Sequence, residues 1–127
     1  ARQLAAINLG QLPPVMKVGN LESSRDFVDV RDGARALWVL AQKGKSGDVY
    51  NQCTGKAWSI REALMMMIDI SGLKVDVTTD PAMFRPSDEK VLLGNPQKMH
   101  ALGWRPQIPF TQTLKDIYEN WLERLQK

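Results

Sequence analysis

The sequence predicts one small α/β unit, and three observations carry that expectation. Apolar stripes at helical spacing alternate along the chain with short extended stretches. Most of the stripes open on a capping residue and close on a glycine. The length, 127 residues, suffices for one modest domain with a core of its own and is too short for two.

The elements follow in chain order. Leu4, Ala5 and Ile7 predict a helix that Gly10 ends. No Ser, Thr, Asp or Asn stands before it, which leads us to expect a chain cut from a longer one. Pro13-Pro14 sets up an extended segment, and Val15 to Val18 reads as a short strand closed by Gly19-Asn20. A second extended stretch surrounds Arg25 to Val28. Val30, Ala34, Leu37, Trp38 and Ala41 then recur at helical spacing as one apolar face, with Asp29 placed to cap it and Gly44 beyond its end.

Asp48 to Asn51 reads as a strand. Ser59 with Glu62 forms a capping-box pattern ahead of a helix whose inner stripe is Ile60, Ala63, Leu64, Met67 and Ile68, stopped by Gly72. The Met65-Met66-Met67 run is read as adaptable core packing. Lys74 to Thr78 alternates as a half-buried strand should, with Val75 and Val77 on one face. Asp80-Pro81 and Asn95-Pro96 each predict a short helix, the second carrying Met99 and Leu102 inward and ending at Gly103. The last helix is the clearest, with Leu114, Ile117, Tyr118, Trp121, Leu122 and Leu125 on one continuous face.

Composition narrows the function classes. Hydrophobic content of 43% and charged content of 24% are ordinary for a globular domain. No apolar run approaches the ~18 residues of a membrane span, and we expect no membrane partner. The single cysteine, Cys53, fits a reducing cytoplasm, which is the expected location. A net charge of +3 suits an anionic small molecule. The chain shows no aromatic–basic stripe or other nucleic-acid signature, and we expect no nucleic-acid partner.

Several chemistries leave no trace. There is no glycine-rich phosphate loop, no cysteine pair and no His–Cys cluster for a metal. The one histidine, His100, reads as a surface or packing residue. Neither tyrosine is followed by lysine at the fourth position: Tyr50 is followed by Thr54 and Tyr118 by Leu122. No catalytic, cofactor-binding or metal-binding residue is therefore expected within the chain.

What remains is a pair of loop arginines. Arg25 lies in Glu22-Ser23-Ser24-Arg25-Asp26-Phe27 and Arg85 in Phe84-Arg85-Pro86-Ser87-Asp88. A guanidinium offers paired donors in a plane and a fixed charge, which suits phosphate oxygens. Two such groups from separate loops could clamp a pyrophosphate, and Asp88 could accept from ribose hydroxyls. On composition and spacing alone, surface ion pairs such as Arg25 with Asp26 are the favoured account of these residues.

The same residues carry a family resemblance. The string Val-Gly-Asn-Leu-Glu-Ser-Ser-Arg-Asp-Phe-Val-Asp-Val-Arg-Asp at 18–32 is followed in order by Gly47-Asp48-Val49-Tyr50-Asn51 and Ser59-Ile60-Arg61-Glu62. Then come Arg85-Pro86-Ser87-Asp88, Leu102-Gly103-Trp104-Arg105-Pro106 and a terminal amphipathic helix. Together they resemble the later part of extended short-chain dehydrogenase/reductases that act on nucleotide sugars. The likeness is greatest to GDP-mannose 4,6-dehydratases and GDP-4-keto-6-deoxymannose reductases, and it covers nearly the whole chain. Two departures leave dehydratase against reductase open: Asp88 stands where many dehydratases carry Glu, and Phe27-Val28-Asp29 where they carry a Trp-Gly-His-type string.

The resemblance implies that the chain is the C-terminal portion of such an enzyme, a small mixed α/β substrate domain over 1–127 without the complete Rossmann sheet. The absent Rossmann domain would bind NADP or NAD and hold the catalytic residues, and the isolated chain would be inactive. The substrate would be a GDP-sugar, with Arg25 and Arg85 on the diphosphate, Asp88 on the ribose, and Val18, Asn20 and Leu21 beside the base. The helix from Val30 and the stretch from Val49 would pack on the absent sheet. Left exposed, they would favour self-association into a homo-oligomer. From another class, a stand-alone non-catalytic nucleotide-sugar-binding module would show the same residues.

Overall fold

The computed structural model describes residues 1–85 and 89–127. The described elements are helix α1 (Arg2–Asn8), strands β1 (Val15–Val18) and β2 (Ser24–Asp26), helix α2 (Val30–Lys43), strand β3 (Ala57–Ser59), helix α3 (Ile60–Ser71) and strand β4 (Asp76–Thr79). A 3-10 turn (Pro81–Met83), strand β5 (Val91–Leu92), helix α4 (Gln97–Ala101) and helix α5 (Phe110–Gln126) complete the chain. β1 and β4 form a parallel pair with Val15 opposite Asp76 and Val18 opposite Thr79. β2 lies at the centre of a second sheet, antiparallel to β3 and parallel to β5.

The local signals read from the sequence set the helix ends. Ser59 Oγ accepts from the Glu62 N–H at 3.0 Å while Glu62 accepts from the Ser59 N–H at 2.7 Å, so both orphan donors at the start of α3 are satisfied. Gly72 ends α3 in the left-handed region at φ 67°, where a Cβ would be strained. Asp29 caps α2 by accepting from the Arg31 N–H at 2.9 Å, and Asn95 accepts from the Gln97 N–H at 3.0 Å ahead of α4.

Two apolar clusters hold the fold. In the larger, Leu4, Ala5 and Ile7 of α1 pack with Met16, Val18, Leu21 and Tyr118, and α3 contributes Ile60, Leu64, Met67 and Ile68. In the smaller, Ala36, Met99 and Trp104 meet Val39, Leu40, Tyr50 and Leu102. Trp104 is fully buried, and its indole N–H donates to the Asp32 carbonyl at 3.0 Å. Asp32 is buried as well. One carboxylate oxygen accepts from the Gln107 and Ile108 N–H groups, both at 2.9 Å, and the other from Arg35 at 2.7 Å. This one side chain fastens the 104–108 loop to the first turn of α2. Close packing recurs at Gly94, where a Cβ would stand 2.5 Å from both Cβ and Sγ of Cys53.

The stripe Val30, Leu37 and Trp38 faces outward, at 82%, 63% and 65% exposure, with Ala34 and Ala41 exposed beside it, the exposure expected of this helix in the chain alone. On its other side α2 buries Asp32 and Ala36 and packs through Val39 and Leu40. Several other expectations are corrected. Asp48 to Asn51 forms no strand, because no neighbouring strand among the described residues offers it a ladder. The predicted strand at 74–78 begins two residues later, and all four residues of β4 are exposed; only Val75, just ahead of it, packs on the larger cluster. Ile117 is exposed, so the inner face of α5 is Leu114 and Tyr118 with Trp121, Leu122 and Leu125 half-buried. Of the methionine run, Met67 reaches the larger cluster and Met65 is exposed. β3 and β5 were not anticipated, being too short to show an alternation. His100 lies in α4, partly buried; its Nε2 is enclosed with no hydrogen-bond partner among the described residues. No described helix is long and apolar enough to cross a membrane.

The packing separates two tryptophans. Trp104→Ala removes a fully enclosed ring and its indole bond to the Asp32 carbonyl, and is expected to cost roughly 3–5 kcal/mol. Trp121→Ala removes a half-buried ring and is expected to cost about 1–2 kcal/mol. Urea unfolding of both variants checks the order, and equal losses would mean that α5 docks more deeply than described.

Candidate nucleotide-sugar site

The pairing of β1 with β4 sets where the chain reaches Arg85. β4 leaves the ladder beside Val18, and the Asp80 N–H donates to the Val18 carbonyl at 2.8 Å. Asp80 then caps the 3-10 turn through the Ala82 N–H at 2.9 Å. The turn crosses directly over Gly19, where any Cβ would overlap the Met83 carbonyl oxygen. The chain emerges at Arg85, whose carbonyl accepts from Asn20 Nδ2 at 3.4 Å. Asn20 Oδ1 in turn accepts from the Glu22 N–H at 2.9 Å.

Arg25 sits mid-strand in β2, opposite Trp58 on one side and Leu92 on the other. Its Nη1 donates to the Ser24 carbonyl at 2.7 Å and to the Glu89 carbonyl at 3.2 Å. Asn20 thus contacts the backbone of Arg85, and Arg25 the backbone of Glu89. Arg85 is exposed, and Arg25 and Asn20 are partly buried. Val18 and Leu21 turn their side chains into the larger cluster, and their carbonyls accept from Asp80 and Arg61. Asp88 lies outside the described residues. Asp26, which might have paired with Arg25, accepts from the Thr54 and Gly55 N–H groups at 2.9 and 2.8 Å, committed to the turn after Cys53.

One feature was missed in the sequence. Phe27 and Phe110 stack with centroids 4.9 Å apart, Trp58 stacks on Phe110 at 5.5 Å, and Lys56 Nζ stands 3.8 Å over the Trp58 ring. They line an open groove of about 410 Å³ that also touches Asp29, Thr113 and Gln107. Trp58 is directly opposite Arg25 across the β2–β3 pair, so the two share a sheet face. The three rings come from widely separated segments: Phe27 just after β2, Trp58 from β3 and Phe110 from the start of α5.

The strongest electrostatics belong to Asp29 and Asp32. Hydrogen bonds from Arg31 hold the Asp29 carboxyl well below the usual carboxylate range; burial opposes them, and a bond from Thr113 Oγ1 at 2.7 Å adds to them. Arg31 also pairs with Asp116 at 2.6 Å, so its own ionisation moves higher. Burial alone would raise Asp32, yet the Ile108 N–H, Arg35 and the Gln107 N–H outweigh it and the group titrates low. Both are structural charges. Among the described residues no cluster of His, Cys, Asp or Glu could hold a metal.

Residues 1–117 match the family model described as GDP-mannose 4,6 dehydratase. The chain belongs to the GDP-mannose 4,6-dehydratase family. Within that family it is 34% identical over a 128-position alignment to a GDP-6-deoxy-D-mannose reductase of Pseudomonas aeruginosa, covering all of this chain and 42% of the reductase. It is 33% identical to GDP-mannose 4,6 dehydratase 2 of Arabidopsis thaliana, over 96% of this chain and 33% of that protein. The chain thus spans about two-fifths or less of these relatives. The structure of RMD from Pseudomonas aeruginosa complexed with NADPH superposes on 97% of it with a TM-score of 0.91, at 33% identity and over 41% of that chain. A UDP-glucose 4-epimerase from Bifidobacterium longum shares the fold alone, at TM-score 0.75 and 20% identity. The small mixed α/β architecture is that of the C-terminal part of extended short-chain dehydrogenase/reductases.

The two depressed carboxyls set an acid limit. A group whose folded pKa lies below its unfolded value adds stability above the unfolded value, near ~3.9 for Asp, and that stability is lost as the pH falls toward the folded pKa. The urea midpoint is therefore expected to hold steady from neutral pH to about 5 and to drop steeply below about 4. Asp32→Asn should lower the midpoint at neutral pH and flatten the drop. A variant with the acid slope of the parent would remove Asp32 as a cause.

Proposed function

We propose that this chain is the nucleotide-sugar-binding portion of a GDP-hexose enzyme. In our reading the whole protein converts GDP-mannose to GDP-4-keto-6-deoxymannose by hydride transfer to and from NADP or NAD, with the 6-hydroxyl lost as water. What supports the reading is the family match together with two contacts on the same loop, Asn20 on the Arg85 carbonyl and Arg25 on the Glu89 carbonyl. The two guanidiniums, Arg25 from strand β2 and Arg85 from the loop after the 3-10 turn, would grip the diphosphate, which places charge and paired donors where the bound nucleotide is anionic. Asp88 would accept from the ribose, and the segment from Val18 to Leu21, including Asn20, would flank the base. A reductase acting on the 4-keto product is the second reading, supported by the 34% identity to such an enzyme across the full chain.

The residues present do not fit the dinucleotide. Neither tyrosine hydroxyl is placed as a proton donor beside a lysine four residues on: that of Tyr50 accepts from the Lys45 N–H at 3.0 Å, and that of Tyr118 from Asn8 at 2.8 Å. We assign cofactor binding and hydride chemistry to a Rossmann domain elsewhere in the protein. The outward stripe of α2 and Val49, 78% exposed, would be the surface on which that domain packs. In its absence the same stripe would join two copies of the chain.

Mutation of the clamp tests the reading in protein expressed from the complete reading frame. Arg85→Ala is expected to raise the Michaelis constant for the sugar nucleotide about tenfold or more, the loss of a charge-assisted contact. Arg85→Lys should recover part of it, because an ammonium lacks the planar fork. Asp88→Asn should act more weakly, and NADP(H) binding should be unchanged in all three. The 127-residue chain alone is expected to turn over neither GDP-mannose nor a 4-keto sugar nucleotide with NADP(H). Turnover above a buffer control would overturn the division of labour.

A further inference from the structure

We propose that Gly19 and Asn20 form a positioning clasp that sets where Arg85 stands, so that Asn20, although it lies in the segment that would flank the base, acts on the nucleotide through Arg85. The inference rests on the nucleotide-sugar reading above and concerns how that site is built. Three contacts fix the path from β4 to Arg85, and all three fall on consecutive residues of β1 and its exit. Val18 receives the Asp80 N–H, which starts the turn at the end of the ladder. Gly19 lies under the turn so closely that a Cβ would overlap the Met83 carbonyl oxygen, stand 3.0 Å from its carbon and lie 3.6 Å from the Phe84 nitrogen. Asn20 reaches the Arg85 carbonyl.

The geometry separates the roles of the two residues. Gly19 has no left-handed backbone to explain its presence, since it is not among the positive-φ glycines. What it supplies is the missing side chain, and what it admits is backbone, which cannot swing aside as a side-chain tip would. Asn20 is held at its own end, its Oδ1 engaged by the Glu22 N–H, so the amide plane is fixed and Nδ2 is aimed across at Arg85. Both of the amide's polar ends thus act on backbone groups of the site's two walls. A side chain with Oδ1 and Nδ2 so directed is built to hold the walls together. The Arg85 side chain then starts from a fixed carbonyl, which limits the orientations its guanidinium must lose on binding.

A double-mutant cycle tests the clasp, with GDP as the probe and affinity measured by calorimetry on protein expressed from the complete reading frame. Arg25→Ala and Arg85→Ala come first: if neither weakens GDP binding, the site reading itself is overturned. With those losses established, Asn20→Ala is expected to weaken GDP roughly two- to tenfold, the range of one neutral hydrogen bond. In the Arg85→Ala background the same substitution should cost less than twofold, because its effect passes through the residue already removed. Gly19→Ala should weaken GDP at least as much. In ligand-free protein, both single variants should speed amide hydrogen exchange at Met83, Phe84 and Arg85. Should Gly19→Ala fail to fold, Asn20→Ala, at a partly buried position, keeps the test intact. Additive losses from Asn20→Ala and Arg85→Ala would show that Asn20 contacts the nucleotide itself and would overturn the clasp. So would an Asn20→Ala variant that binds GDP as the parent does.

Discussion

The parallel pairing of β1 with β4 is the constraint on which the rest depends. Parallel strands cannot be joined by a tight turn, and here the crossover carries β2, α2, β3 and α3 before the chain returns. Its four residue pairs set the register at which β4 ends beside Val18. A slip of one residue would invert which side chains of β1 enter the larger cluster, exposing Met16 and Val18 and burying Lys17. Burial on the β1 side thereby specifies the exit point on the β4 side, although β4 contributes no buried residue of its own.

The second cluster is organised by a charge instead of by apolar surface. Asp32 gathers two loop N–H groups and one guanidinium, and its carbonyl takes the Trp104 indole. A buried carboxylate is costly to desolvate and is kept only where nearly all its acceptor capacity is used. Its position in the first turn of α2 also places negative charge near the positive end of the helix dipole. Asp29 works in the same way one turn earlier, binding Arg31 and Thr113 and so fixing α5 to the start of α2.

What was legible in the sequence was local. The capping box at Ser59 and Glu62, the stops at Gly10 and Gly72, and the caps at Asp29, Asp80 and Asn95 depend on residues within a few positions of one another. What failed needed a partner. The buried side of α2 is set by Asp32, one of whose carboxylate oxygens accepts from donors more than seventy positions away, which no spacing along the helix reveals. The extended stretch at Asp48 to Asn51 has strand chemistry and no ladder beside it. The aromatic groove combines Phe27, Trp58 and Phe110, which no spacing rule connects. Of the candidate site, Asn20, Arg25 and Arg85 were named through family likeness, and the β1–β4 ladder that sets where the chain reaches Arg85 was only half visible, as two unassigned strands.

Gly19 and Gly94 are both held to glycine by crowding, yet they stand differently toward substitution over evolutionary time. Gly94 is opposed by the side chain of Cys53, so the crowding belongs to a pair of positions and not to one. A lineage could pass the small residue across: glycine at 53 would make room for alanine at 94, and two neutral-looking changes would travel together. Gly19 is opposed by the carbonyl of Met83, an atom every amino acid carries. No second-site replacement can clear it, and only a rearrangement of the turn itself would. Among homologues, position 94 should therefore show its constraint as covariation with 53, and position 19 as plain invariance.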